Sequence, residues 1–188
     1  MQTTSNFIWI ELKQEIFVDL FVKIYEYLKQ NNIENIVNSQ NPLSLHITLY
    51  YLEKDLDSET KNEIKEYIKK FNINKKIELS WFNYFFRWEW NRFVLYLETK
   101  TDLQLKNYRD DLHNKYKRNF VEDNSFEFSP HITFLRIQNS ETFEKHRENI
   151  ENIINKELEN LKNIDINSKN INLYAVNSKF KEEIQIKI

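Results

Sequence analysis

One tripeptide, His-Ile-Thr, occurs twice in this chain, at residues 46–48 and 131–133. Each copy lies inside an apolar, β-prone run, residues 45–52 and 130–137. Successive side chains of an extended strand project to opposite faces, so His46 shares a face with Thr48, and His131 with Thr133. Ile47, Leu49, Ile132 and Phe134 take the other face, where they can fill a core. Each run is therefore expected to be a strand packed on one side and open on the other. Two such strands, brought to one cleft, would let two imidazoles and two hydroxyls converge on a single anion. The alternative is two histidines satisfied separately in unrelated core strands.

The order of elements around the motifs repeats. Residues 7–12 read as a strand, and Phe17, Leu20, Phe21, Ile24, Tyr25 and Leu28 recur at helical spacing up to about residue 29. The first motif strand follows, then a helix capped by Asp57 or Ser58 and striped by Ile64, Tyr67, Ile68 and Phe71. In the second half, residues 93–97 read as a strand. Thr101-Asp102 opens a helix striped by Leu105, Tyr108, Leu112 and Tyr116. Residues 126–137 hold the second motif, and Ser140 caps a helix striped by Phe143, Ile150, Ile153, Ile154 and Leu158. The histidines are offset by 131 − 46 = 85 residues and the first strands by 93 − 7 = 86, which points to an internal duplication. Further strands are expected at 77–86, 164–167, 171–176 and 184–188.

The expected architecture is α+β: duplicated strand–helix–strand–helix halves forming two antiparallel-type sheet lobes that face a central cleft, with helices outside. The chain reads as one domain, 1–188. Its pseudo-repeat lobes are expected at about 1–75 and 90–162, with bridging strands at 76–89 and C-terminal strands at 163–188.

Composition excludes several function classes. There is no cysteine, hence no disulfide, thiolate nucleophile or thiolate metal site. There is no glycine either, which removes Gly-rich phosphate loops and dinucleotide-binding turns. Asparagine is expected to supply left-handed turn geometry in its place, at Asn31, Asn32, Asn72, Asn74, Asn91, Asn124, Asn163 and Asn170. A net charge of −2 disfavours a long duplex gripped by its phosphates. The segment 1–6 lacks the basic and apolar parts of a signal peptide, and no apolar run approaches spanning length, so a cytoplasmic protein without membrane contact is expected.

Histidine titrates near neutrality, so of two imidazoles across a phosphate one can accept a proton while the other supplies one. Threonine hydroxyls can donate to the non-bridging oxygens as charge develops there. This arrangement calls for no metal and no cofactor.

Two His-x-Thr motifs in a duplicated α+β chain resemble the 2H phosphoesterase superfamily, which includes 2′-5′ RNA ligase-like and RNA cyclic phosphodiesterase proteins. The match is strongest at Phe128-Ser-Pro-His-Ile-Thr-Phe-Leu-Arg136 and extends to Leu45-His-Ile-Thr-Leu49. The resemblance implies that His46 and His131 are the acid–base pair and that Thr48 and Thr133 hold the phosphate. It also implies a metal-independent phosphodiesterase for a nucleotide or short oligonucleotide: a 2′,3′-cyclic phosphate, a 2′-5′ link or a cyclic oligonucleotide. Viral relatives degrade nucleotide immune signals, which makes a phage or bacterial enzyme of that kind a further expectation. The competing readings are a non-catalytic nucleotide- or RNA-binding sensor module using the same cleft, and RNA 2′-5′ end joining. The protein is expected to be a monomer.

Arg136 falls where relatives often carry a phosphate-contacting arginine, but regular alternation puts it opposite His131, so a bulge or the strand end would have to turn it inward; the alternative is a structural salt bridge. Glu53-Lys54 stand where relatives commonly have glycine, and Val176 where many have serine. The aromatic stretch 81–90 reads as a hairpin between the halves, and Tyr84, Trp88 and Tyr174 are candidates for a base-stacking wall, the alternative being that such alternating aromatics are the two buried faces of a strand. His113 and His146 are expected at helix surfaces.

Overall fold

The computed structural model describes residues 4–12, 15–39, 45–52, 56–87, 92–100, 102–116, 127–177 and 184–187. The elements run β1 (Thr4–Glu11), α1 (Glu15–Gln30), β2 (Val37–Ser39), β3 (His46–Leu52), α2 (Ser58–Ile68) and β4 (Asn74–Arg87). They continue with β5 (Arg92–Thr99), α3 (Leu103–Tyr116), β6 (His131–Ile137), α4 (Ser140–Leu158), β7 (Asn163–Asn167), β8 (Ile171–Asn177) and β9 (Ile184–Lys187). The fold is α+β, with two sheets ordered β3-β1-β8-β9 and β2-β6-β5-β4-β7, and every described strand pair is antiparallel.

The starts of α2, α3 and α4 follow from side-chain caps. Asp57 accepts the Thr60 amide at 2.7 Å, Asp102 the Leu105 amide at 3.0 Å, and Asn139 the Thr142 amide at 3.0 Å. Each satisfies an amide that the first turn leaves without a helical partner. The last of these caps is thus Asn139, one residue before the expected Ser140. Of the asparagines expected to replace glycine, only Asn32 takes positive φ among the described residues, at 55°. Asn74 and Asn163 instead open strands, and Asn91 and Asn124 lie outside the described residues. The described residues, with one left-handed position, have little need of glycine.

The helices are exchanged between the halves. In α1, Phe21 meets Phe134 of β6, and in α4, Phe143 meets Phe93 of β5, so these two helices cover the second sheet. Helix α3 packs on β3 and α2 on β8, covering the first sheet. Each sheet thus carries one helix from each half, and the apolar faces of both sheets join a single core. That shared core locks the two motif strands together, because neither sheet can bury its apolar face with its own half alone. His113 and His146 sit in these interfaces rather than at helix surfaces. Tyr50 Oη lies 3.3 Å from His113 Nδ1, and Tyr27 Oη 2.8 Å from His146 Nδ1.

Candidate active site

Strands β3 and β6 belong to different sheets, yet their Cα atoms approach within 8 Å where the sheets meet. Along both, burial alternates as the sequence demands: Ile47, Leu49, Ile132 and Phe134 are buried, while His46, Thr48, His131 and Thr133 are partly exposed. The two motifs therefore lie on the faces turned away from the core.

Cross-strand pairing builds the same surroundings twice. On β1, Trp9 stands opposite Thr48 and Glu11 opposite His46. On β5, Tyr96 stands opposite Thr133 and Glu98 opposite His131. Both offsets from the first pair to the second are 96 − 9 = 98 − 11 = 87 residues. Each motif is also anchored at its entrance, where a carbonyl meets the end of the adjoining strand. Leu12 N donates to the Leu45 carbonyl at 3.1 Å, and Thr99 N and Oγ1 donate to the Pro130 carbonyl at 3.2 and 2.9 Å.

A β-bulge follows each motif. Ile8 pairs with Tyr50 and Trp9 with Thr48, so Leu49 is an extra residue. Likewise Leu95 pairs with Leu135 and Tyr96 with Thr133, leaving Phe134 extra. One extra residue reverses the phase of all that follow. Tyr50 and Leu135 consequently join Leu49 and Phe134 in the core, and Tyr51 and Arg136 turn to the motif face. Of the two routes by which Arg136 could reach that face, the strand takes the bulge.

His131 Nδ1 lies 2.9 Å from the Ser129 carbonyl oxygen. A carbonyl can only accept, so Nδ1 carries the proton and the neutral ring keeps its lone pair on Nε2. The ring also stands edge-on to Tyr96, with centroids 5.1 Å apart. His46 instead lies over Trp9 at 3.8 Å between centroids and beside Phe7 at 5.8 Å. Trp9 and Phe7 form an apolar cluster separate from the main core.

Glu98 is tied into the second half-site. It accepts Asn83 Nδ2 at 2.9 Å, and Asn83 stands opposite Tyr96. Burial raises the Tyr96 phenol above its ordinary pKa, and the charge of Glu98 and its hydrogen bond add to the rise. Asn172 stands opposite Trp9 in the first half, as Asn83 does opposite Tyr96. Its Nδ2 is buried with no hydrogen-bond partner among the described residues. No group of three or more His, Asp or Glu side chains suited to a metal ion occurs among the described residues.

Tyr84 does not lie on the motif face. It pairs with Leu95, a core residue, and faces α4, where the Arg147 guanidinium lies 4.2 Å from its ring centroid and Phe93 packs edge-on at 5.6 Å. Its neighbour Asn83 takes the motif face, because the Ser80 bulge sets the phase of β4. Trp88 lies outside the described residues. The backbone of Tyr174 pairs with Phe7, and its side chain lies outside the described residues.

Sequence reasoning missed Phe7, Trp9, Glu11, Tyr51, Asn83, Tyr96 and Glu98. A signal for four of them was present: Trp9-Ile10-Glu11 and Tyr96-Leu97-Glu98 repeat an aromatic–aliphatic–glutamate pattern before each motif.

No family model matches the sequence, and no curated protein matches it significantly. Solved structures do match. E. coli LigT in complex with 3′-AMP superposes with a TM-score of 0.56 at 16% identity, covering 100% of this chain and 96% of that one. A Thermus thermophilus protein gives 0.61 at 13% identity, covering 100% and 95%. A structure described as a phosphoesterase gives 0.58 at 16% identity, covering 100% and 96%. With its duplicated motif strands and two antiparallel sheets, the chain has the same fold as E. coli LigT.

Proposed function

We propose that this protein is a metal-independent phosphodiesterase acting on a nucleotide or short oligonucleotide through His46 and His131. The observation that supports this most strongly is the duplication of one chemical unit on the cleft face. Each unit has an imidazole, a hydroxyl two residues on, an aromatic ring opposite the hydroxyl and a bulge behind it. Binding a phosphate alone does not call for two titratable rings, whereas in-line displacement uses one on each side of phosphorus.

In the proposed reaction a water oxygen attacks phosphorus and gives its proton to the neutral histidine. The bond from phosphorus to the leaving oxygen breaks as the other, protonated histidine supplies that oxygen with a proton. The Ser129 carbonyl keeps His131 Nε2 as the working nitrogen. Thr48 and Thr133 donate to the non-bridging oxygens, and Arg136 adds a guanidinium on the same face. Glu98, committed to Asn83 and Tyr96, serves this frame better as a support than as a metal ligand. That LigT has been solved with 3′-AMP supports a nucleotide as substrate.

The test is a metal-free screen against 2′,3′-cyclic nucleotides, 2′-5′ oligoadenylates and cyclic signalling oligonucleotides, with product analysis. His46→Ala and His131→Ala are each expected to lose about 10²–10⁴-fold in turnover while circular dichroism stays native. Turnover that survives either change, or that EDTA abolishes, overturns the proposal.

A further inference from the structure

A run of hydrogen bonds ties β4 to the second motif. At Asn83 the backbone amide of Tyr84 donates to Oδ1 at 2.8 Å, and a backbone N–H can only donate. That fixes the orientation of the side-chain amide and directs Nδ2 at Glu98, whose carboxylate accepts it at 2.9 Å. Tyr96 donates its phenol proton to Glu98 as well. The Tyr96 ring then stands edge-on to His131 at 5.1 Å, and His131 Nδ1 lies 2.9 Å from the Ser129 carbonyl oxygen. Backbone groups thus anchor both ends of the run, and each hydrogen bond in it has one possible direction. Register assembles it: Asn83 stands opposite Tyr96 and Glu98 opposite His131, with Asn83 brought to this face by the extra residue Ser80. At the equivalent place of the first half Asn172 stands opposite Trp9, and its Nδ2 has no hydrogen-bond partner among the described residues. The link through this amide is made in one half only.

We propose that Asn83 is a positioning residue that, through Glu98 and Tyr96, holds the His131 ring with Nε2 toward the substrate phosphate. This rests on the phosphodiesterase reading for what Nε2 does there, but the orientation of the ring is a property of the protein alone. An edge contact between rings is weakly directional and by itself lets an imidazole pivot. Pinning the phenol at its far end removes that freedom, because Tyr96 cannot turn without giving up a hydrogen bond to a carboxylate. The same two donors also occupy Glu98. A carboxylate directly across the strand pair from an imidazole is a ready acceptor for its proton, and accepting it at Nε2 would leave that nitrogen without a lone pair. With Glu98 committed to Asn83 and Tyr96, the ring proton stays on Nδ1 against Ser129 and Nε2 stays open.

The experiment records nitrogen-15 spectra of the neutral His131 ring and, in parallel, steady-state kinetics on the diester found by the screen. It compares the wild type, Asn83→Ala, Asn172→Ala and the exchange pair Asn83→Asp with Glu98→Gln. The wild type is expected to carry the ring proton on Nδ1. In Asn83→Ala the released Glu98 should draw it to Nε2 in a substantial fraction of molecules, with kcat about tenfold lower and KM unchanged. The exchange pair rebuilds the link with donor and acceptor reversed and leaves an oxygen at position 98 for Tyr96, so both readings should return toward the wild type. Asn172→Ala should leave the His131 ring as it is. An unmoved ring in Asn83→Ala overturns the inference. So does the same shift in Asn172→Ala, or a defect that the natively folded exchange pair does not repair. If no screened diester is turned over while the ring responds as expected, the enzymatic reading falls and the positioning role stands.

Discussion

Replacing Thr133 by valine isolates one proposed hydroxyl with almost no structural disturbance. Valine keeps the β-branched shape that suits a strand, and the backbone pairing of residue 133 with Tyr96 is untouched. Among the described residues no side-chain hydrogen bond holds the Thr133 hydroxyl, so its removal leaves no protein group orphaned. The expected change in stability is therefore within about 0.5 kcal/mol. The kinetic effect is expected to be much larger. Loss of one preorganised donor to a charge-developing oxygen costs about 10²–10³ in kcat, and the partial exposure of this site places it near the lower end, about 10². KM should change little, because the donor acts chiefly as charge develops. By pseudo-symmetry Thr48→Val should cost a similar factor. If the two hydroxyls hold different oxygens, the double variant should lose the product of the two factors, about 10⁴. The assay is steady-state hydrolysis of whichever diester the screen identifies, with thermal melts run in parallel. A loss below about fivefold in kcat with native melting, or a rise in KM alone, would refute the proposed role.

Two further outcomes test the frame around the site. Asp102 caps α3 and lies 2.6 Å from Lys75 at the start of β4, both groups partly exposed. Asp102→Ala should cost about 1–2 kcal/mol, and a calorimetric Tm lower by roughly 3–6 °C would register it. Burial raises the Asp102 carboxyl. The hydrogen bonds from Lys75 and the Leu105 and Gln104 amides, with the Lys75 charge, outweigh that and leave it lowered. Its contribution is thus present above the ordinary value of 3.8 and vanishes as pH falls through the lowered one, so wild type and variant should converge in acid. For Tyr96 the sign is opposite. Its raised phenol contributes stability below the ordinary value of 10.0 that is lost as pH rises through the folded value. Glu98→Gln removes the Glu98 charge, one of the causes of the rise, so phenolate absorbance assigned against a Tyr96→Phe control should appear at lower pH. An unmoved titration would show that Glu98 does not hold Tyr96.

Local chemistry alone marked most of the strands (though not β2), the face each motif presents and, to within a residue, where α2, α3 and α4 begin. Side-chain alternation and helical spacing act over a few residues, so His46 with Thr48 and His131 with Thr133 were legible before any fold was known. The duplication was legible too, because equal offsets survive in a linear string. Pairing register is different: it depends on which strands meet, and that is decided by burial across the whole molecule. Only the tertiary structure set Glu11 and Glu98 beside the histidines, although neither motif has a carboxylate within it. Only it placed α1 and α3 over the opposite halves, which joins the sheets in one core. The bulges at Leu49 and Phe134 show the distinction most clearly. Straight alternation sends Tyr51 and Arg136 away from the motif histidines, and one unpaired residue per strand sends them back. The same phase logic in β4 moved Tyr84 to the helices and Asn83 to the motif face. Sequence thus determined the reacting groups, and packing decided their neighbours, because a face is local and a register is not.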